Sequence, residues 1–341
     1  MNRIVLTIWA KRLSGVAAAL GLAFVPDLVR AEAPSPFNPA SPQAASIANL
    51  FWIIVVIAAL IFVGVGGAIL YATFAYRERP GRAAAQFTGN LPVEIAWTAV
   101  PLLLLAVIFY LTVRTMIDLQ IPTTDPGSDP VEITVGGHQW WWSFEYPQAR
   151  FTTANEFHVP VGEPVILHLR SDNVLHSFWI PEMNGKLDLI PGHDRTMWFT
   201  PTQTGTFLGQ CAEYCGIEHT WMHIRMVVQT PAEYASWVRD QQRPASTPTG
   251  LALEGERIFM QQNCQNCHAV AGTAAEGIAG PNLTHMGSRA TIGAGVLTNT
   301  PDNMERWLRN PQEVKPGNLM PDMKLTPDQV RALTAYMESL R

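Results

Sequence analysis

Within twelve residues, Cys211-Ala-Glu-Tyr-Cys215-Gly-Ile-Glu-His219-Thr-Trp-Met222 gathers two thiols, an imidazole and a thioether. These are soft and borderline donors of the kind that suits copper. A mononuclear blue-copper site needs one Cys, two His and a weak Met. A second Cys allows two thiolates to bridge two copper ions. His176, in Val174-Leu175-His176-Ser177, is the natural second imidazole and falls on the edge of an earlier strand. A structural zinc site of Cys₂His₂ type is the main rival, although the Met a fixed step after the His has no role there. A Cys211–Cys215 disulfide is the plainest alternative in an oxidising compartment.

The other two cysteines stand in Cys264-Gln-Asn-Cys267-His268. Cys-x-x-Cys-His is the pattern of c-type haem attachment, in which two thiols form thioethers and the adjacent His ligates iron. A Met as the sixth ligand raises the potential for electron transfer. Met320, in Pro316-Gly-Asn-Leu-Met320-Pro321, lies on an irregular stretch before the last helix and suits that role; Met323 and Met286 are the alternatives.

These motifs need elements to hold them, and the 341-residue chain divides readily. Residues 1–33 read as an export signal. Arg3, Lys11 and Arg12 precede an uncharged run from Leu13 to Val25, and Ala31-Glu32-Ala33 offers small residues for cleavage. The alternative is a retained first anchor, for which that run is short. Residues 34–118 read as a two-helix transmembrane hairpin, with uncharged runs from Leu50 to Tyr76 and from Ile95 to Val113. Arg77, Arg79 and Arg82 lie between the runs, and positive charge stays on the inner side, so both flanks face outward. Pro101, inside the second run, needs a neighbouring helix to repair the backbone.

Residues 119–131 form a polar, Pro-rich linker. From 131 to 230 short alternating segments such as Val131–Val135, Val165–Leu169 and Thr196–Phe199 recur between Gly and Pro, the pattern of a β-sandwich. Residues 231–250 read as a second linker, with two Pro and several Ser/Thr from Gln241 to Gly250. Residues 251–341 carry three helical segments, Glu254–Gln262, Asn303–Asn310 and Thr326–Leu340, and form a small α domain.

Composition sets outer bounds. Hydrophobic residues are 48% and charged ones 15%, too apolar for a disordered chain and too polar for one living wholly in lipid. A net charge of −5 argues against nucleic acid as a partner. Four cysteines are too few for a disulfide scaffold.

Taken together, these motifs resemble subunit II of the haem–copper cytochrome c oxidases, in the form with a fused C-terminal cytochrome c found in caa3-type enzymes. The resemblance spans the whole mature chain. It implies a multidomain membrane protein: a two-helix transmembrane hairpin, a cupredoxin-like Greek-key β-sandwich and an all-α class I cytochrome c domain. It further implies a binuclear copper-A centre held by His176, Cys211, Cys215, His219, Met222 and the backbone carbonyl of Glu213, and a covalently bound haem c on Cys264, Cys267, His268 and Met320. The Glu213 side chain resembles a ligand to a magnesium ion shared with subunit I.

Gly137-His138-Gln139-Trp140-Trp141-Trp142 resembles the family's aromatic stretch, with Trp140 as the residue that accepts electrons. The plain alternative is that Trp140, Trp142, Phe144 and Tyr146 alternate into the core. Glu94 with Trp97 resembles the family's Glu-x-x-Trp at the entrance of a proton pathway, against a plain role as a helix-cap acid; at full membrane depth a carboxylate would cost about 2.5–3.5 kcal/mol. Gly280-Pro281-Asn282-Leu283 resembles the segment whose Pro carbonyl orients the haem His. Tyr214 stands where the family commonly has Leu, a change of packing, and Asn173 stands where an acid is frequent, a change that bears on the donor-docking surface.

The function so implied is subunit II of a proton-translocating oxidase. It would take electrons from cytochrome c through haem c and copper A and pass them to subunit I for reduction of oxygen to water. Subunit I, other oxidase subunits, cytochrome c and membrane lipid are the implied partners. The implied location is the bacterial inner membrane, with the copper and haem domains on the outer side. The oxygen-reducing site would need six or more His-bearing membrane helices and is not in this chain. A copper-A subunit of a nitric-oxide reductase and a free-standing membrane-tethered electron carrier are the rival readings.

Overall fold

The computed structural model describes residues 34–78, 80, 81, 86, 88–120 and 130–341. The export signal of 1–33, Arg79 and Arg82 of the interhelical loop, and most of the 119–131 linker lie outside the described residues.

Among the described residues, two helices are long and apolar enough to cross a membrane, α1 (Pro42–Ala75) and α2 (Leu91–Asp118). Both begin ahead of their uncharged runs because capping residues stand there. Ser41 accepts the Ala44 N–H and Asn90 accepts the Val93 N–H, each followed by a Pro in the first turn, where a missing N–H costs nothing. The 34 residues of α1 extend about 51 Å at 1.5 Å per residue, more than the hydrocarbon thickness of about 30 Å. Its first turns therefore project beyond the lipid, and there Gln43, Ala44 and Ala48 are buried. Thr200 donates its N–H to Gln43 Oε1, Ala40 exchanges backbone bonds with Glu182 and Thr202, and Ser41 bonds the Met183 carbonyl. At the far end of α2, the Trp198 indole N–H reaches the carbonyls of Leu119 and Gln120. The hairpin thus holds the next domain at both of its outer ends.

That domain is a sandwich of two five-stranded sheets. Its strands are β1 (Val131–His138), β2 (Trp141–Tyr146), β3 (Phe151–Ala154), β4 (Glu156–Pro160), β5 (Val165–Ser171), β6 (His176–Trp179), β7 (Leu187–Leu189), β8 (Arg195–Phe199), β9 (Gly205–Cys211) and β10 (His223–Gln229). One sheet runs β3-β2-β1-β5-β8 and the other β4-β10-β9-β6-β7. The β1–β5 and β4–β10 pairs are parallel, so the chain crosses between sheets rather than meandering. Alternating burial along β1, β5 and β10 aims Ile133, Val135, Leu167, Leu169, Ile224 and Met226 inward. Trp142, Phe144 and Tyr146 fill the core between the sheets, as strand alternation predicts.

Residues 231–241, expected as linker, form helix α3 (Pro231–Gln241) instead. Thr230 and Glu233 close a capping box, and Trp237 stacks on His158 at 4.2 Å and meets Tyr146 edge-on at 5.5 Å. The sandwich extends to Gln241 because one aromatic face, Tyr234 and Trp237, finds apolar cover there. Only 242–250 remains as connection, and it is pinned to the last domain by Ala245 N–H to the Ala271 carbonyl and Ser246 Oγ to the Ser339 carbonyl.

The last domain consists of α4 (Leu251–Gln261), α5 (Pro301–Arg309), α6 (Pro311–Val314) and α7 (Pro327–Ser339), joined by loops that carry two short two-stranded ladders and two 3-10 turns. Gly255 lets α4 approach the backbone of α7 at Ala332, where any side chain would collide. Phe259 and Tyr336 meet edge-on at 5.6 Å across that crossing.

Candidate functional site

The sandwich gathers the copper-type donors from three stretches of chain. His176 opens β6, Cys211 closes β9, and Cys215, His219 and Met222 follow in the loop that leads to β10. Pairing of β6 with β9 places these ends together, with Phe178 opposite Cys211. Cys211 Sγ lies 3.8 Å from His176 Nδ1, 3.8 Å from Cys215 Sγ and 3.2 Å from the Glu213 carbonyl oxygen. Cys215 Sγ lies 3.7 Å from His219 Nδ1 and 4.0 Å from Met222 Sδ. The sulfurs are far beyond the ~2.05 Å of a disulfide, and both cysteines are free.

The thiol–thiol contact holds Cys211 well below the usual thiol range, while the same contact and burial push Cys215 up. The pair gives up one proton readily and the second reluctantly. A cation held between the sulfurs removes that reluctance, because a coordinating thiol is deprotonated outright. The set of two sulfurs, two imidazoles, a thioether and a carbonyl therefore fits a soft metal ion.

His176 Nε2 donates to Asn173 Oδ1 at 3.2 Å, which leaves the Nδ1 lone pair facing Cys211. Asn173 is thus an orienting partner of the imidazole. In the sequence Asn173 stands out as an amide where an acid is frequent; the signal for its orienting role is an amide three residues ahead of a ligand-type His. Gly137 packs against the same ring, and a Cβ there would meet His176 Cδ2 at 2.9 Å.

In the last domain Cys264, Cys267 and His268 follow α4 in a tight turn, with the His268 N–H bonded to the Cys264 carbonyl. His268 Nδ1 donates to the Pro281 carbonyl at 2.8 Å. Burial pulls this His below its usual range, so the ring is neutral and its Nε2 lone pair is free to ligate. Gly280 allows the Pro281 segment to cross the ring face, where a Cβ would come within 2.7 Å. Met320 is half-buried, its N–H bonded to Asn318 Oδ1 and its carbonyl to Gln312 Nε2. Of the alternatives, Met286 is buried in the helical core and contacts Arg289. An attachment turn, an oriented neutral His and a positioned Met loop fit a haem.

Trp140 is 9% exposed, and its indole N–H donates to the Cys215 carbonyl at 3.0 Å, beside a bond from Gln139 to the same oxygen. It therefore caps the copper-type loop, whereas Trp142, Phe144 and Tyr146 are ordinary core. Glu94 lies in the first turn of α2 and accepts the Asn90 N–H at 3.2 Å, a capping contact. The Glu213 carboxylate is paired with Lys186 at 3.3 Å, at a cleft of about 500 Å³ that Ala44, Trp179, Cys211 and His219 help to line. A magnesium ion wants six oxygens. Among the described residues this position offers one carboxylate with a cation beside it, so the chain does not build a magnesium site by itself.

The sandwich and the last domain meet at several points. The Ala290 N–H donates to Glu156 Oε2, the His223 N–H to the Ala294 carbonyl, and His285 Nε2 to the carbonyls of Gln241 and Arg243. Lys315 Nζ lies 3.3 Å from Glu218 Oε2 and donates to the Trp140 carbonyl at 2.9 Å.

Comparison with known proteins bears on all three parts. Family models for the transmembrane domain of cytochrome c oxidase subunit II, its periplasmic domain, and cytochrome c match residues 37–114, 148–230 and 252–341 respectively. The chain is 37% identical over 310 residues to cytochrome c oxidase subunit 2 of Alkalihalophilus pseudofirmus, covering 89% of this chain and 90% of that one. The subunit 2 of a Bacillus species (strain PS3) is 34% identical over 78% of this chain and 80% of its own length. That of Bacillus subtilis is 33% identical over 75% and 76%.

Proposed function

Because the chain belongs to the cytochrome c oxidase subunit 2 family, we propose that it receives electrons from cytochrome c on its haem domain and delivers them from its copper domain to a catalytic partner, subunit I, which reduces oxygen to water with proton translocation. It is a two-pass inner-membrane protein with both redox domains on the periplasmic side. The observation that carries the reading is the convergence of six copper-type donors on a chain that also carries a Cys-x-x-Cys-His turn.

The donor positions favour two copper ions over one zinc. In a Cys₂His₂ zinc tetrahedron all donor atoms lie about 3.3–3.8 Å apart. Here His176, Cys211 and Cys215 have donor atoms within 4.8 Å of one another, and His219 stands outside that group, in reach of Cys215. One imidazole lies beside each sulfur, so the set would offer an imidazole to each of two ions. His176, Cys211, Cys215, His219, Met222 and the Glu213 carbonyl would together hold the pair.

Bound copper and haem supply reversible one-electron chemistry. The chain's own residues do the rest. Asn173 and Pro281 fix the tautomers of His176 and His268, and burial excludes water from both thiols. The Trp140 indole N–H donates directly to the Cys215 carbonyl, which ties this aromatic residue to the copper-ligand loop. Glu94 at the inner membrane face is the candidate entrance for protons bound for subunit I, and Glu213 the one carboxylate this chain would lend to a shared magnesium ion.

Purification of the full chain with its partners in mild detergent tests the proposal. Expected are covalently attached haem, two coppers per chain and cytochrome c-dependent oxygen uptake. Nitric-oxide turnover, or a chain without partners, would overturn it.

A further inference from the structure

The deepest joint between the two redox domains is an ion pair. The Lys315 and Glu218 side chains are 4% and 2% exposed and lie 3.3 Å apart, and Glu218 has no other hydrogen-bond partner in reach. A pair buried this far is a poor source of net stability, since apolar residues of like volume do as well or better. It does demand one arrangement, because parting the domains leaves two lone charges where water has been excluded.

Both members are tied to the redox sites. Glu218 sits between Cys215 and His219 in the copper-ligand loop. Lys315 follows α6, and its carbonyl accepts from Asn318 Nδ2, while Asn318 Oδ1 receives the Met320 N–H. The ammonium also donates to the Trp140 carbonyl, and the Trp140 indole donates to the Cys215 carbonyl. An unbroken run of covalent and hydrogen bonds therefore connects the Met320 loop with Cys215. Alongside it, Gly317 lies against the Ile217 side chain.

We propose that Lys315 is a positioning residue that seats the haem domain on the copper domain and places the Met320 loop in electron-transfer contact with Cys215 through Trp140. One electron leaves the haem domain and one arrives on the copper domain per transfer. No bond is made or broken in the step. With Trp140 9% exposed and its carbonyl taken, an outside donor meets the haem domain rather than Trp140.

The inference rests on the copper and haem assignments proposed above, and its test separates the two. Lys315→Met and Lys315→Arg are made in the full-length chain within the detergent-solubilised oxidase. Haem absorbance and the copper electron paramagnetic resonance spectrum report loading, and all rates are taken per loaded centre. In Lys315→Met, single-turnover transfer from the reduced haem domain to the copper domain is expected at least about tenfold slower. KM for the external donor stays constant while kcat falls. The distance distribution between spin labels on the two domains broadens, and Lys315→Arg recovers most of the rate. If Lys315→Met does not assemble, Lys315→Met with Glu218→Gln leaves no lone buried charge and is measured the same way. A loaded variant with the parental rate and distance distribution overturns the proposal. Missing copper or haem spectra in the parent chain would instead overturn the underlying assignments.

Discussion

The copper and haem regions assemble their ligands in opposite ways. In the copper region the donors come from the start of β6, the end of β9 and the loop before β10, and only strand pairing brings them within 4 Å. In the haem region three of the four expected ligands stand in five consecutive residues after α4, and folding mainly has to orient one imidazole and present Met320. A covalent attachment tolerates a small, loop-rich domain because the prosthetic group supplies its own tether. A site without covalent bonds needs a sandwich core to preorganise it.

That contrast predicts how each region fails. Cys211→Ser removes one of the two thiols that would bridge the proposed copper pair, and copper content and oxygen uptake are expected to drop more than about 100-fold, with haem staining of the denatured chain unchanged. Cys264→Ala with Cys267→Ala gives the converse: no haem staining, but a normal copper spectrum, because the sandwich does not depend on the helical domain for its donors. Asn173→Ala leaves all copper ligands in place yet frees the His176 ring. Copper affinity, read by competition with a chelator, should weaken about tenfold.

The smallest expected effect concerns the joint between the regions. Glu156 takes the Ala290 N–H and is paired with Arg225 and His158; these partners outweigh burial and hold its carboxyl below the usual range. A depressed folded value means stability that is present above pH 4.5 and is lost as pH falls through the folded value. Glu156→Gln should therefore cost about 1 kcal/mol at neutral pH, measured by thermal melting of the full chain, and the difference from the parent should close as the pH falls through the depressed folded value.

Local motifs were readable in advance because their chemistry sits in adjacent residues. Cys264-Gln-Asn-Cys267-His268 and the Cys211–Met222 run identify themselves by spacing, and the two membrane helices by uncharged length. The aromatic alternation from Trp140 to Tyr146 correctly suggested a core face, yet Trp140 leaves it to cap Cys215. Helix α3 was missed because its apolar face holds only Tyr234 and Trp237, too few to reveal a helix without the sandwich surface they cover. Glu94 was legible as a first-turn acid, and the contact it makes within this chain is the capping one.

Residue types and spacing alone establish which chemistry the chain can hold: soft donors for copper, an attachment motif for haem, apolar length for a membrane. Tertiary structure decides which donor faces which, and what orients them. Asn173 on His176, Trp140 on Cys215 and Lys315 across to Glu218 join residues far apart or on separate domains. Hydrogen bonds and buried charges of this kind depend on distances of a few ångström, and only the packed fold sets those distances.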